Sequence, residues 1–180
     1  MTTLEKDTAF QYIDNDGSTR SLYKVVPVDN GKKLYIETPY YYNTTEIALY
    51  STELDSTLLS YYVVLLADLR LTPDGKYVIA TDAGNCFIDV PGSYDIIYFD
   101  AENDKLAAIV PGWWNIYTYN ADAGIAPGFL EFSLDGRYTF VGGDCWSHRF
   151  AIIDNFQHVI IESEYHEDMY FEAPSCRKVP

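Results

Sequence analysis

Apolar and polar residues alternate in two stretches that read alike. Leu69-Arg70-Leu71-Thr72-Pro73-Asp74-Gly75-Lys76-Tyr77-Val78-Ile79-Ala80 and Leu130-Glu131-Phe132-Ser133-Leu134-Asp135-Gly136-Arg137-Tyr138-Thr139-Phe140-Val141 each hold a short alternating segment, a turn and a second segment. A period of two is the pattern of a half-buried strand. Asp-Gly between two such segments marks a hairpin, because Gly accepts the positive φ that the turn requires. A third copy, Val25-Val26-Pro27-Val28-Asp29-Asn30-Gly31-Lys32-Lys33-Leu34-Tyr35-Ile36, carries Asn-Gly at its turn. Each copy has a second half in which a third strand leads through a polar turn into a fourth. In the first copy these are Glu46-Ile47-Ala48-Leu49-Tyr50 and Thr57-Leu58-Leu59. In the second they are Asp95-Ile96-Ile97-Tyr98-Phe99-Asp100 and Lys105-Leu106-Ala107-Ala108-Ile109. In the third they are Phe150-Ala151-Ile152-Ile153-Asp154 and His158-Val159-Ile160-Ile161-Glu162.

Four short antiparallel strands per unit is the architecture of a propeller blade. The phrase Thr72-Pro73-Asp74-Gly75-Lys76-Tyr77, followed by Ser133 to Tyr138, resembles the blades of WD-type and lactonase-type β-propellers. The resemblance spans roughly residues 22 to 165, although the Gly-His and Trp-Asp signatures of WD repeats are absent. It implies an all-β chain of three propeller-blade-like four-stranded antiparallel units, with repeats at 22–66, 67–125 and 126–165 of a single domain, 1–180. Complete propellers use about four to eight blades. Three blades therefore predict an incomplete or open propeller, with a β-sandwich or a continuous twisted sheet as alternatives. The unpaired edges of an open arrangement need protection, which keeps self-association open. Propellers host unrelated functions, so the resemblance says nothing of chemistry.

Composition narrows the classes of partner. The formal net charge is -15, from 27 acidic and 12 basic side chains. That balance excludes direct binding to nucleic acid, which requires Lys and Arg to displace counterions. It also disfavours anionic membranes. A basic protein is the natural partner of such a surface, because opposite fields speed encounter and reject wrong partners. The alternative is that the acid serves solubility alone. Tyrosine, with 17 copies, suits strands and also interfaces.

Three cysteines, Cys86, Cys145 and Cys176, form no CxxC pair and are odd in number. They predict neither a zinc site nor a disulfide framework, and a reducing, cytoplasmic setting follows. Met1 to Asp7 has no basic segment followed by an apolar run, so no signal peptide is expected. The apolar stretch Tyr61 to Ala67 is too short to span a bilayer.

The histidines, His148, His158 and His166, show no HExxH or other metal spacing. No nucleophile elbow, phosphate loop or reactive Cys signature occurs. Asp14-Asn15-Asp16-Gly17-Ser18 resembles the start of a calcium loop, but Val25 stands where the bidentate Glu is required, so a plain turn is the reading. The expectation is a binding protein without cofactor or metal rather than an enzyme.

Two segments concentrate contact residues. Trp113, Trp114, Tyr117 and Tyr119 lie between turn residues in an aromatic insert, either exposed as interface anchors or packed as core. Glu162, Glu164, Glu167, Asp168 and Tyr170 lie in an acidic aromatic segment, 162–180, suited to a basic cleft or simply solvated. Together they favour a protein-binding inhibitor, most concretely an immunity-type protein that occludes a basic cytoplasmic toxin such as a nuclease. A propeller-type scaffold is the alternative, and a carbohydrate-binding or lactonase-like enzyme the next.

Overall fold

The structure is a computed structural model, and it describes residues 24–41, 44–63, 66–82, 95–111, 127–143 and 149–165. Among the described residues, twelve strands form three four-stranded antiparallel sheets. Sheet I holds β1 (Lys24–Val28), β2 (Lys33–Tyr41), β3 (Thr44–Ser51) and β4 (Ser56–Val63). Sheet II holds β5 (Leu66–Leu71), β6 (Tyr77–Asp82), β7 (Ile96–Asp100) and β8 (Lys105–Val110). Sheet III holds β9 (Pro127–Phe132), β10 (Tyr138–Gly143), β11 (Arg149–Asp154) and β12 (Val159–Tyr165). Within each sheet, strands lie in sequence order, each paired antiparallel with the next. No ladder joins one sheet to another among the described residues. This is the open set of three blade-like units, not a continuous sheet.

The hairpins predicted at Asp-Gly are present, and their side chains explain why the phrase repeats. Gly75 and Gly136 sit at φ of 74° and 71°, a region that costs a residue with a Cβ. Asp74 Oδ1 accepts from the Thr72 hydroxyl at 2.7 Å and the Lys76 amide at 3.2 Å. Asp135 Oδ1 accepts from the Ser133 hydroxyl at 2.7 Å and the Arg137 amide at 3.1 Å. The Thr or Ser before each turn and the Asp within it therefore bind the loop backbone locally. The upstream hairpin is built differently: Asp29, Asn30 and Gly31 all have positive φ, in a single 3-10 turn (Asp29–Gly31).

A second turn repeats at the joins between the third and fourth strands. Asp100 Oδ1 accepts the amides of Glu102 and Asn103, and Asp154 Oδ1 accepts those of Phe156 and Gln157. Ser51 Oγ accepts the Leu54 amide in the same place. Four residues after each cap, Asp55, Asp104 and His158 adopt positive φ. Asp tolerates this conformation because its short polar side chain bonds locally. His is the departure.

Alternation becomes packing because each sheet sends alternate residues to opposite sides. One core lies between sheets I and II, where Tyr35, Ile47, Leu49 and Val63 meet Leu69, Val78, Ala80, Ile97 and Phe99. A second lies between sheets II and III, where Ile79, Ile96, Tyr98 and Val110 meet Leu130, Val141, Ala151 and Ile153. Sheet II is buried on both faces, and Ile96 to Phe99 form an unbroken buried run. A smaller cluster of Ile36 and Ala48, flanked by Leu34 and Tyr50, lies on the other side of sheet I.

Candidate interaction surface

The inner strands of the three sheets carry a polar chain. Lys24 on β1 reaches Asp68 Oδ1 on β5 at 2.6 Å, and Arg70 Nε reaches Asp68 Oδ2 at 2.7 Å. Arg70 Nη1 then meets Glu131 Oε1 on β9 at 3.3 Å. The chain thus ties one residue of each sheet to the next. Asp68 is nearly buried, and it also accepts the Leu69 amide while its own amide donates to the Thr81 hydroxyl. Both of its oxygens are engaged, as a buried charge requires. Such a carboxylate positions strands and is poorly placed to act as a base. Glu37 lies opposite Lys24 across β1 and β2. Burial pushes its carboxyl up, Lys24 pulls against that, and Asp68 adds to the rise.

The same pairing extends across the surface. Lys32 meets Glu53, Lys33 meets Asp104 at 2.7 Å, Lys76 meets Asp74, and Arg137 meets Asp154. With Lys24 and Arg70, six of the chain's 12 basic side chains are tied to carboxylates. Each exposed pair contributes little to stability, about 0–1 kcal/mol. Each pair cancels a cation against a carboxylate, so the net charge of -15 rests on carboxylates outside these pairs.

A third polar unit joins sheets II and III. Asn155 Oδ1 accepts from the Tyr98 hydroxyl at 2.9 Å and the Thr139 hydroxyl at 2.6 Å, and its amide nitrogen donates to the Gly136 carbonyl at 2.8 Å. Asn155 is fully buried and saturates the turn from below. Burial pushes the Tyr98 hydroxyl well above the usual phenol range. His158 packs edge-on against Tyr77 and Tyr98, with ring centres 5.2 and 4.8 Å apart. Burial lowers its basicity, and Asp154 opposes the shift. Sequence reasoning missed Asn155 and this use of His158. The spacing of four between Asp100 and Asp104, Asp154 and His158, and Ser51 and Asp55 was the available signal for the turn that holds them.

Of the residues predicted to bind a partner, Glu162 and Glu164 lie on β12, the outer strand of sheet III. Glu162 is exposed and stands opposite Ile152, and Glu164 stands opposite Phe150. Trp113, Trp114, Tyr117, Tyr119, Glu167, Asp168 and Tyr170 lie outside the described residues, as do Cys86, Cys145, Cys176, His148 and His166. The Asp14 to Ser18 segment does too. No group of three or more His, Cys, Asp or Glu among the described residues is arranged to hold a metal ion. No described helix is long and apolar enough to cross a membrane.

No family model and no curated protein matches the chain. Solved structures do. The chain is similar to the β-propeller domain of Cps50 (Swd1) from Myceliophteria thermophila, at 13% identity and a TM-score of 0.56, over 85% of this chain and 44% of that one. It also overlays hydrazine synthase from Kuenenia stuttgartiensis, at 17% identity and a TM-score of 0.48, over 72% of this chain and 39% of that one. The chain thus spans less than half the length of either. The first likeness, with the three four-stranded sheets, shows a propeller-like fold and only the fold.

Proposed function

We propose that this chain is a protein-binding inhibitor of a basic partner, most concretely an immunity-type protein that occludes the active site of a cytoplasmic toxin such as a nuclease. The observation that carries the reading is the internal pairing of Lys24, Lys32, Lys33, Arg70, Lys76 and Arg137 in a chain of net charge -15. The charge presented outward is then mostly carboxylate, and a cationic cleft is its complement. Such a chain acts by covering a site, with no bond made or broken. The polar units within the fold support this, since Asp68 and Asn155 are fully engaged in holding sheets together.

The test is to mix the purified chain with the basic protein encoded beside it, then measure the mass of the complex and the toxin's residual activity. A stoichiometric complex with activity abolished is expected. No complex and undiminished activity would overturn the reading. A complex that leaves activity intact would instead favour a scaffold, the other role open to a propeller-like fold.

A further inference from the structure

Counted from the turn glycines Gly31, Gly75 and Gly136, one row of register partners crosses each sheet at the equivalent position. In sheet I it runs Val26, Tyr35, Leu49, Leu59, and in sheet II Arg70, Ile79, Tyr98, Ala108. In sheet III it runs Glu131, Phe140, Ile152, Glu162. The central pair of each row faces the next sheet. Tyr35 and Leu49 are each 1% exposed beneath sheet II, and Ile79 and Tyr98 are 0% exposed beneath sheet III. Sheet III has no described sheet beyond it, and Phe140 is 38% exposed. Its sequence nevertheless keeps two large apolar residues at the positions that the other sheets bury. The outer members differ as well. Where the first two rows end in Leu59 and Ala108, the third ends in Glu162, and it begins in Glu131.

We propose that this face of sheet III is the docking surface for the basic partner, and that it takes an apolar β-strand or hairpin surface flanked by Lys or Arg. The proposal rests on the inhibitor reading above and names where it acts. Charge decides the occupant. Of the two glutamates that bracket the apolar pair, Glu131 already meets Arg70 and Glu162 stands exposed, so a second copy seated here around a twofold axis would bring acidic margins together between chains of net charge -15 each. A head-to-tail second copy would find no open apolar pair on the far side of sheet I, because Ile36 and Ala48 at the centre of that face are both 0% exposed, while Val25 and Ser60 at its margins are exposed. A partner with cationic margins meets neither obstacle. It would cover Phe140 and Ile152 as sheet III covers Ile79 and Tyr98, with a cation beside Glu162 and another joining the Arg70–Glu131 pair at the opposite margin.

The experiment uses the full chain and two cyclised β-hairpin peptides with Val and Ile at the centre of one face, one with Lys at both margins and one with Glu. Binding is followed by calorimetry and by amide chemical shifts. The Lys-margin hairpin is expected to bind at least about tenfold more tightly, a difference of about 1.4 kcal/mol, with shifts centred on β10 and β11. Phe140→Asp should abolish binding. Glu162→Lys should reverse the preference toward the Glu-margin hairpin, and it reads the same face if Phe140→Asp fails to unfold cooperatively. Leu58→Asp, at an exposed position on β4, should change nothing. Equal affinity for the two hairpins would overturn the proposal. So would undiminished binding by Phe140→Asp, or a dimer of the wild type that Phe140→Asp dissolves. A chain that binds the Lys-margin hairpin but no basic toxin keeps this surface and loses the inhibitor reading. A toxin neutralised equally by wild type and Phe140→Asp keeps the inhibitor reading and loses the surface.

Discussion

Two glycines with nearly the same backbone angles have different surroundings. A Cβ at Gly75 would meet nothing within 4 Å, whereas one at Gly136 would lie 2.9 Å from the Asp74 carboxyl carbon and 3.0 Å from its backbone nitrogen. Both Gly75→Ala and Gly136→Ala carry the left-handed backbone cost of about 1–2 kcal/mol. Only the second also pushes neighbouring hairpins apart, so its urea midpoint should fall further. Equal losses would mean that the turns of sheets II and III do not touch as described. A second contrast concerns tyrosine. The Tyr35 hydroxyl is buried without a hydrogen-bond partner, while that of Tyr98 donates to Asn155. An unpaired buried hydroxyl costs about 1–3 kcal/mol, and the loss of a paired one leaves its acceptor short. Tyr35→Phe should leave stability unchanged or raise it, and Tyr98→Phe should lower it, as read by chemical denaturation.

At the scale of elements, the turn between β11 and β12 couples stability to pH. Asp154 is held below the usual carboxylate range. Burial opposes this, but the amides of Gln157 and Phe156 and the Arg137 cation prevail. His158 in the same turn is shifted downward by burial. A histidine with a lowered folded-state pKa is more easily protonated when unfolded. Its contribution is therefore complete above the unfolded value of 6.5 and is lost as pH falls from there toward the folded value. The melting temperature should drop across that window, before the carboxylates titrate. His158→Asn, which keeps a side chain suited to positive φ, should flatten the drop. An unchanged slope would show that another group is responsible. The outer strand β12 presents Val159, Ile160 and Ile161 at 37–52% exposure, beside glutamates that discourage edge pairing.

For the whole molecule, sheet II is the element on which both cores depend. Phe99 packs fully buried against Tyr35 and Tyr61, with ring centres 5.5 and 5.8 Å apart. Phe99→Ala should cost about 3–5 kcal/mol, a large share of the roughly 5–15 kcal/mol that holds a domain folded. Thermal melting by circular dichroism would show the loss, and a shift of only a degree or two would contradict the packing. The field of the whole chain bears on partner choice. With the described cations mostly paired, the affinity for a basic partner should fall steeply as salt rises, because charge attraction between exposed surfaces is screened. An affinity indifferent to salt would favour apolar contact alone.

The repeat was legible because its causes are local. Thr72, Asp74 and Gly75, and Ser133, Asp135 and Gly136, bind or bend the backbone within a few residues of themselves. Alternation along β6 and β10 then fixes which residues share a face. The three four-stranded units followed from these signals. Glu162 could be singled out at the end of a strand and Glu164 as part of an acidic segment, but nothing near them in sequence says that Phe140 and Ile152 stand alongside Glu162, or that Glu164 continues the strand. The side-chain chain from Lys24 through Asp68 and Arg70 to Glu131 crosses three sheets, and Asn155 reaches Tyr98 from 57 positions away. Such contacts depend on how sheets stack, which no local pattern encodes. The amino-acid sequence by itself determined the units, their turns and the sign of the surface, because those rest on short-range sterics and on composition. The tertiary structure alone decided which sheet faces are covered by another described sheet and which is not, because coverage depends on residues that meet only when the sheets pack.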